Sequence, residues 1–146
     1  MQVIEDDGTV VIRLHEGEDL FPTLGKALEQ VGLRYGVILT GVGMLKDFEL
    51  GWFDHATKGY VKRVFATPHE LAAMSGTIAV SADDASTVMP HVHVAMAGPD
   101  LGLVGGHLWK ATVTILNEIS IKRVDKEMVR RLNPATGLME LDLGQA

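Results

Sequence analysis

The sequence predicts a mostly β domain with one clear helix, and three observations carry that expectation. Runs rich in β-branched and aromatic residues recur along the chain, as in Thr9-Val10-Val11-Ile12-Arg13-Leu14-His15 and Thr112-Val113-Thr114-Ile115. One stretch, from Leu20 to Val31, spaces its apolar residues at the helical period. Clusters of Gly, Pro, Asn and Asp punctuate the apolar runs where a chain reverses. At 146 residues the chain is one domain by length, able to bury roughly 68–70% of its unfolded surface. Its core is expected over about residues 10–121, with a C-terminal arm over about 125–146.

Thr9–His15 reads as the first strand. Asp19 can cap the helix that follows, Pro22 fits its first turn, and Leu20, Leu24, Ala27, Leu28 and Val31 form the apolar stripe that Gly32 ends. From Arg34 onward successive strands are separated by turns: Tyr35–Thr40, Phe48–Phe53, Tyr60–Phe65 and Glu70–Val80. Gly41-Val42-Gly43 lacks the third glycine and the downstream helix of a dinucleotide fingerprint, so it reads as a bend in a strand. A polar turn at Asp83–Ser86 precedes a histidine-bearing strand, and Thr112–Ile121 alternates as a long strand with one buried face. The tail holds Arg130-Arg131 and a turn at Asn133–Gly137, which reads as a small terminal hairpin or arm.

Charge and composition exclude several classes. Hydrophobic residues at 47% and charged residues at 22% are those of a globular protein. No apolar run reaches the length of a membrane span, and the first residues do not resemble a signal peptide, so a cytoplasmic location without membrane contact is expected. With no cysteine, any transition-metal site must use His and carboxylate. A net charge of −6 argues against DNA as a partner of the isolated chain. The basic residues Lys122, Arg123, Lys126, Arg130 and Arg131 are interleaved with Asp125 and Glu127, which reads as a solvated, salt-bridged face.

The chemistry concentrates in three of the six histidines. His91 and His93 alternate with Val92 and Val94, so in a strand both imidazoles share one face. Gly98-Pro99-Asp100-Leu101-Gly102 has the residues of a tight reversal. Centring the loop on Asp100 sets Gly98 opposite Gly102, Ala95 opposite Gly105 and His93 opposite His107, with Cβ atoms roughly 4.5–5.5 Å apart. A bulge at Gly105-Gly106 would turn His107 to the other face, which makes these two glycines site-shaping residues. Three imidazoles with one coordination position left to water or a ligand is an arrangement of catalytic zinc, and three neutral donors would let the ion acidify that water. Ordinary hydrogen bonds among half-buried histidines are the alternative. Glu118 is a carboxylate that could orient a ligand histidine or accept a proton. His15, His55 and His69 read as surface or locally hydrogen-bonded residues.

The order Thr40-Gly41-Val42-Gly43, Asp47 to Asp54 around Gly51, Ser75-Gly76-Thr77-Ile78-Ala79, His91-Val92-His93-Val94, Gly98-Pro99-Asp100, Gly105-Gly106-His107-Leu108 and Glu118-Ile119 resembles the PPC domain, the plant and prokaryote conserved domain. In plants this domain is fused to AT-hook motifs in nuclear DNA-binding proteins. The likeness runs from about Val10 to about Ile121 and implies an α+β fold, an antiparallel sheet with one main helix packed against it, assembled as a homotrimer. It also implies a metal at His91, His93 and His107. The Arg-Gly-Arg-Pro hook of the plant proteins does not occur here. Two functions therefore stand side by side. One is a trimeric protein whose histidine site holds a divalent metal, zinc by preference, and binds a small molecule or supports metal-dependent chemistry. The other is a non-enzymatic oligomerisation and partner-binding module related to DNA-binding proteins.

Overall fold

In a computed structural model of the chain, residues 1–144 are described. The amphipathic stripe forms α1 (Leu20–Gln30), which buries Leu20, Leu24, Ala27 and Leu28. Its ends depart from the expected chemistry at one point. Asp19 occupies the N-cap position, but its side chain makes no capping bond, and its backbone bridges to Thr112 instead. At the other end Gly32, at φ 60°, turns the chain, and Leu33 N–H donates to Leu28 O at 2.9 Å. Arg123 reaches the same end, donating to Val31 O (2.8 Å) and Gly32 O (3.1 Å) while pairing with Glu5.

Among the described residues nine strands make up one sheet: β1 (Gln2–Asp6), β2 (Thr9–His15), β3 (Gly36–Asp54), β4 (Gly59–Phe65), β5 (His69–Ser81), β6 (Val88–Ala97), β7 (Leu103–Arg123), β8 (Val129–Asn133) and β9 (Leu138–Asp142). Thr9–His15 is thus the second strand, preceded by the exposed edge strand β1. Tyr35–Thr40 and Phe48–Phe53 are not separate strands. They belong to the continuous β3, whose register against β7 shifts at several points between Ile38 and Leu50. Glycine and bulge chemistry absorb the extra residues without a reversal. Gly105 to Ile121 likewise lies within one strand, β7.

The ladders β3–β5, β5–β6, β6–β7 and β7–β3 are all antiparallel and close on one another, so His93 and His107 are paired on both flanks, while His91, just beyond the β6–β7 ladder, is paired with β5 alone. α1 packs on β2 and β7. The apolar interior between helix and sheet includes Ile12, Leu14, Leu24, Phe48, Met96 and Ile119, none of them exposed. Strands β8 and β9 form the terminal hairpin, joined to β5 by a short parallel ladder at Val80↔Val129 and Ser81↔Arg130. No helix among the described residues is long and apolar enough to cross a membrane.

Candidate metal centre

Strand alternation sets the facing of each histidine. Val92 and Val94 on β6 are 1% and 6% exposed, packed in the core, which leaves His91 and His93 on the opposite face. Across the hairpin Gly98 N–H donates to Gly102 O at 2.9 Å, Ala95 pairs with Gly105 and His93 pairs with His107, as counting from Asp100 predicts. No bulge interrupts this ladder at Gly105-Gly106. Both glycines are instead points of close approach. A Cβ on Gly105 would lie 2.7 Å from Val94 O, and one on Gly106, whose φ is 151°, would lie 2.7 Å from Gly51 O. Gly76, opposite Val92, is tighter still, with 1.9 Å from its would-be Cβ to His91 O.

The three imidazoles converge. Their ring centroids are 4.9–5.4 Å apart, and one nitrogen from each lies within 4.8 Å of the others. His91 Nε2 and His93 Nε2 are 3.2 Å apart. Two nitrogens each about 2.0–2.1 Å from one tetrahedral ion would be separated by about 3.3 Å. His107 Nδ1 is buried with no hydrogen-bond partner. A cluster maintained by hydrogen bonds alone would use that atom, whereas a metal-ligand set leaves donors turned toward a shared centre. Burial pushes the imidazoles of His91 and His107 down from 6.5 to about 4, helped by the neighbouring Arg130 and by the other histidines. Both rings are therefore neutral at physiological pH, the form that binds a metal. The donor set and its spacing fit a divalent transition metal.

An aromatic wall borders the cluster. His107 packs 4.5 Å from Trp109 and 5.4 Å from Tyr60, and Lys62, paired with Glu49 at 3.0 Å, lies over the Trp109 ring at 3.7 Å. Glu118 is not among the converging groups. It lies eleven residues beyond His107 on β7, about 36 Å along an extended strand, where it is exposed and paired with Arg13 and Val42. His69 is locally hydrogen-bonded, as expected, with Nδ1 2.9 Å from Thr67 O; it is also buried, its ring edge-on to Phe48. His15 and His55 are exposed.

Arg130 departs from the expected solvated face. It is 5% exposed, donating through Nη1 to Met139 O (2.9 Å) and through Nη2 to Thr77 Oγ1 (2.7 Å). Thr77 is the ladder partner of His91, so the guanidinium sits beside the histidines. Alternation in Val129-Arg130-Arg131-Leu132 requires one arginine to face inward, and Arg131 pairs outside with Asp142.

Residues 1–125 match the Plants and Prokaryotes Conserved (PCC) domain. The chain belongs to this family. Among solved structures, a metal-containing protein from Archaeoglobus fulgidus is 28% identical, with a TM-score of 0.81 over 96% of this chain and 98% of that one. A plant- and prokaryote-conserved protein from Pyrococcus horikoshii is 21% identical, with a TM-score of 0.79 over 95% and 93%. A candidate DNA-binding protein from Bacteroides thetaiotaomicron is 21% identical, with a TM-score of 0.88 over 97% and 96%. These last two share the fold. A search of curated proteins gives no match. His91, His93 and His107 fall inside the matched PCC residues, and Arg130 falls beyond them.

Proposed function

We propose that this PCC-domain protein holds a divalent metal, zinc by donor chemistry, at His91, His93 and His107, and that it binds a small molecule or supports metal-dependent chemistry there as a cytoplasmic homotrimer. The observation that carries the reading is the convergence of one nitrogen from each histidine within 4.8 Å, together with a His107 Nδ1 that is buried without a hydrogen-bond partner. The metal-containing relative from Archaeoglobus fulgidus supports it. When bound by three neutral imidazoles, zinc supplies a Lewis acid with open coordination. The chain's own residues hold the donors on two adjacent sheet strands, with His93 and His107 paired on both flanks, shield one side with Tyr60 and Trp109, and keep His91 and His107 unprotonated.

Assembly is supported by apolar side chains left on the outer face of neighbouring strands β3 and β7, where Leu39 is 55%, Val42 45% and Ile115 64% exposed. Light scattering at micromolar concentration is expected to give three times the chain mass, and a monomer refutes the trimer. The net charge of −6 leads to weak binding of duplex DNA by the isolated chain. Elemental analysis of untagged protein, purified with metal in the medium, tests the centre itself. One equivalent of metal per chain is expected. No retained metal would leave the partner-binding module, a reading favoured by the same apolar face and by the fold of the Bacteroides thetaiotaomicron protein.

A further inference from the structure

Arg130 is a buried cation without a counter-charge. Its Nε has no partner, and it forms no ion pair among the described residues. Taking a guanidinium out of water costs several kcal/mol unless an opposite charge joins it. The neutral histidines beside it offer none. Glu140, the acid on the nearby hairpin, spends its carboxylate on Asn133 Nδ2 (3.0 Å) and Thr136 Oγ1 (2.7 Å) at the surface.

Between the histidines and the β8–β9 hairpin lies a cavity of about 710 Å³, bordered by His91, His107 and Arg130. The volume suits a small molecule. Met89, Pro90, Leu138, Met139 and Leu141 supply apolar walls, and Glu140, its carboxylate held by Asn133 and Thr136, is the one acid in the lining. A fully charged phosphate would place much of its surface against those walls. A planar carboxylate presents two oxygens to the guanidinium fork and can carry an apolar body.

The geometry points to this cavity as the binding site of a small monocarboxylate, its charged head between Arg130 and the histidine cluster and its apolar body along Met89, Pro90, Leu138 and Leu141. The inference deepens the metal reading and rests on it in part. Arg130 supplies one positive charge by itself, and an ion at the histidines adds to it.

Calorimetric titration of the metal-replete full chain with hexanoate, hexanamide and inorganic phosphate tests the assignment, alongside the metal content of every sample. Hexanoate is expected to bind at least about tenfold more tightly than either of the other two, and Arg130→Met is expected to erase about tenfold of that affinity at unchanged metal content. Because Arg130 also ties the hairpin down, a second variant is needed that leaves it in place. Leu141→Glu changes a side chain 36% exposed, sets a competing carboxylate in the cavity, and is expected to weaken hexanoate by a similar factor. His93→Ala, expected to hold no metal, retains weaker, Arg130-dependent binding. If the wild type holds no metal yet binds hexanoate through Arg130, the metal reading alone fails. If it holds metal but binds hexanoate no better than hexanamide or phosphate, the carboxylate assignment is overturned. Undiminished hexanoate binding by Leu141→Glu overturns it as well.

Discussion

The β6–β7 hairpin and the β8–β9 hairpin border the same cavity and are anchored by different means. In the first, β6 is laddered to β5 from Val88 to Ala97, and β7 to β3 through His107↔Gly51 and beyond, so His93 and His107 are bonded on each side and His91 on the β5 side. The second touches the sheet at Val80↔Val129 and Ser81↔Arg130. Its remaining ties among the described residues include Arg130 to Thr77 and Lys58 Nζ to Ala135 O at 2.9 Å. Metal donors need fixed geometry, which a fully paired strand supplies. A covering element needs only to stay near, and few backbone bonds allow it to open at low cost.

The sharpest break in this comparison is Gly76→Val. Its Cβ would fall 1.9 Å from His91 O, so β5 and β6 must separate. Urea denaturation should show a loss of about 3 kcal/mol, and metal content should fall with it. His93→Ala removes a donor on the exposed side of β6 and leaves the core valines in place. Metal retention should disappear while the circular dichroism spectrum stays that of the wild type.

Acid sharpens the same contrast. In metal-free protein the folded-state values of about 4 for His91 and His107 lie below the usual 6.5, so the unfolded chain binds more protons between those limits. Stability is therefore highest above pH 6.5, falls as pH drops toward 4, and levels off below. The loss is on the order of 2 kcal/mol per histidine after allowance for partial solvent exposure, and Phe substitution at both positions should flatten the profile. Truncation after residue 125 should cost about 1–2 kcal/mol while keeping full metal content, since no histidine donor is lost. Loss of metal on truncation would mean that the hairpin is part of the donor scaffold. The smallest effect belongs to Glu118→Gln, which should leave metal content and melting temperature unchanged. A drop in metal would mean that another copy of the chain brings this carboxylate to the site.

The histidine hairpin could be read from the sequence because its turn is short and its flanks alternate. A loop from Gly98 to Gly102 admits few geometries, so His93 and His107 could be set opposite by counting. The single helix was legible for a similar reason, a stripe at one period ending in glycine. Continuity of β3 was not, because glycines that punctuate turns also permit bulges, and only long-range pairing decides between them. β1 escaped notice because Gln2–Asp6 is an exposed edge strand with no apolar alternation. Arg130 and Arg131 are adjacent and chemically identical, so the burial of one depends on β8 meeting β5 in parallel, a contact no local pattern encodes.

The central position of β7 has a consequence for how the chain is made. This one strand pairs with β2, β3 and β6, joining Thr9 to Lys122 and Gly36 to Arg123. On a ribosome the first hundred residues emerge with their principal partner still unsynthesised, and β2 and β3 wait with open edges. High sequence separation of this kind slows folding, because loop closure must precede the contacts that reward it. The β6–β7 turn that sets His93 opposite His107 is local and does not wait for those long-range contacts, so the histidines can meet before the rest of β7 joins β2 and β3 and closes the sheet around them.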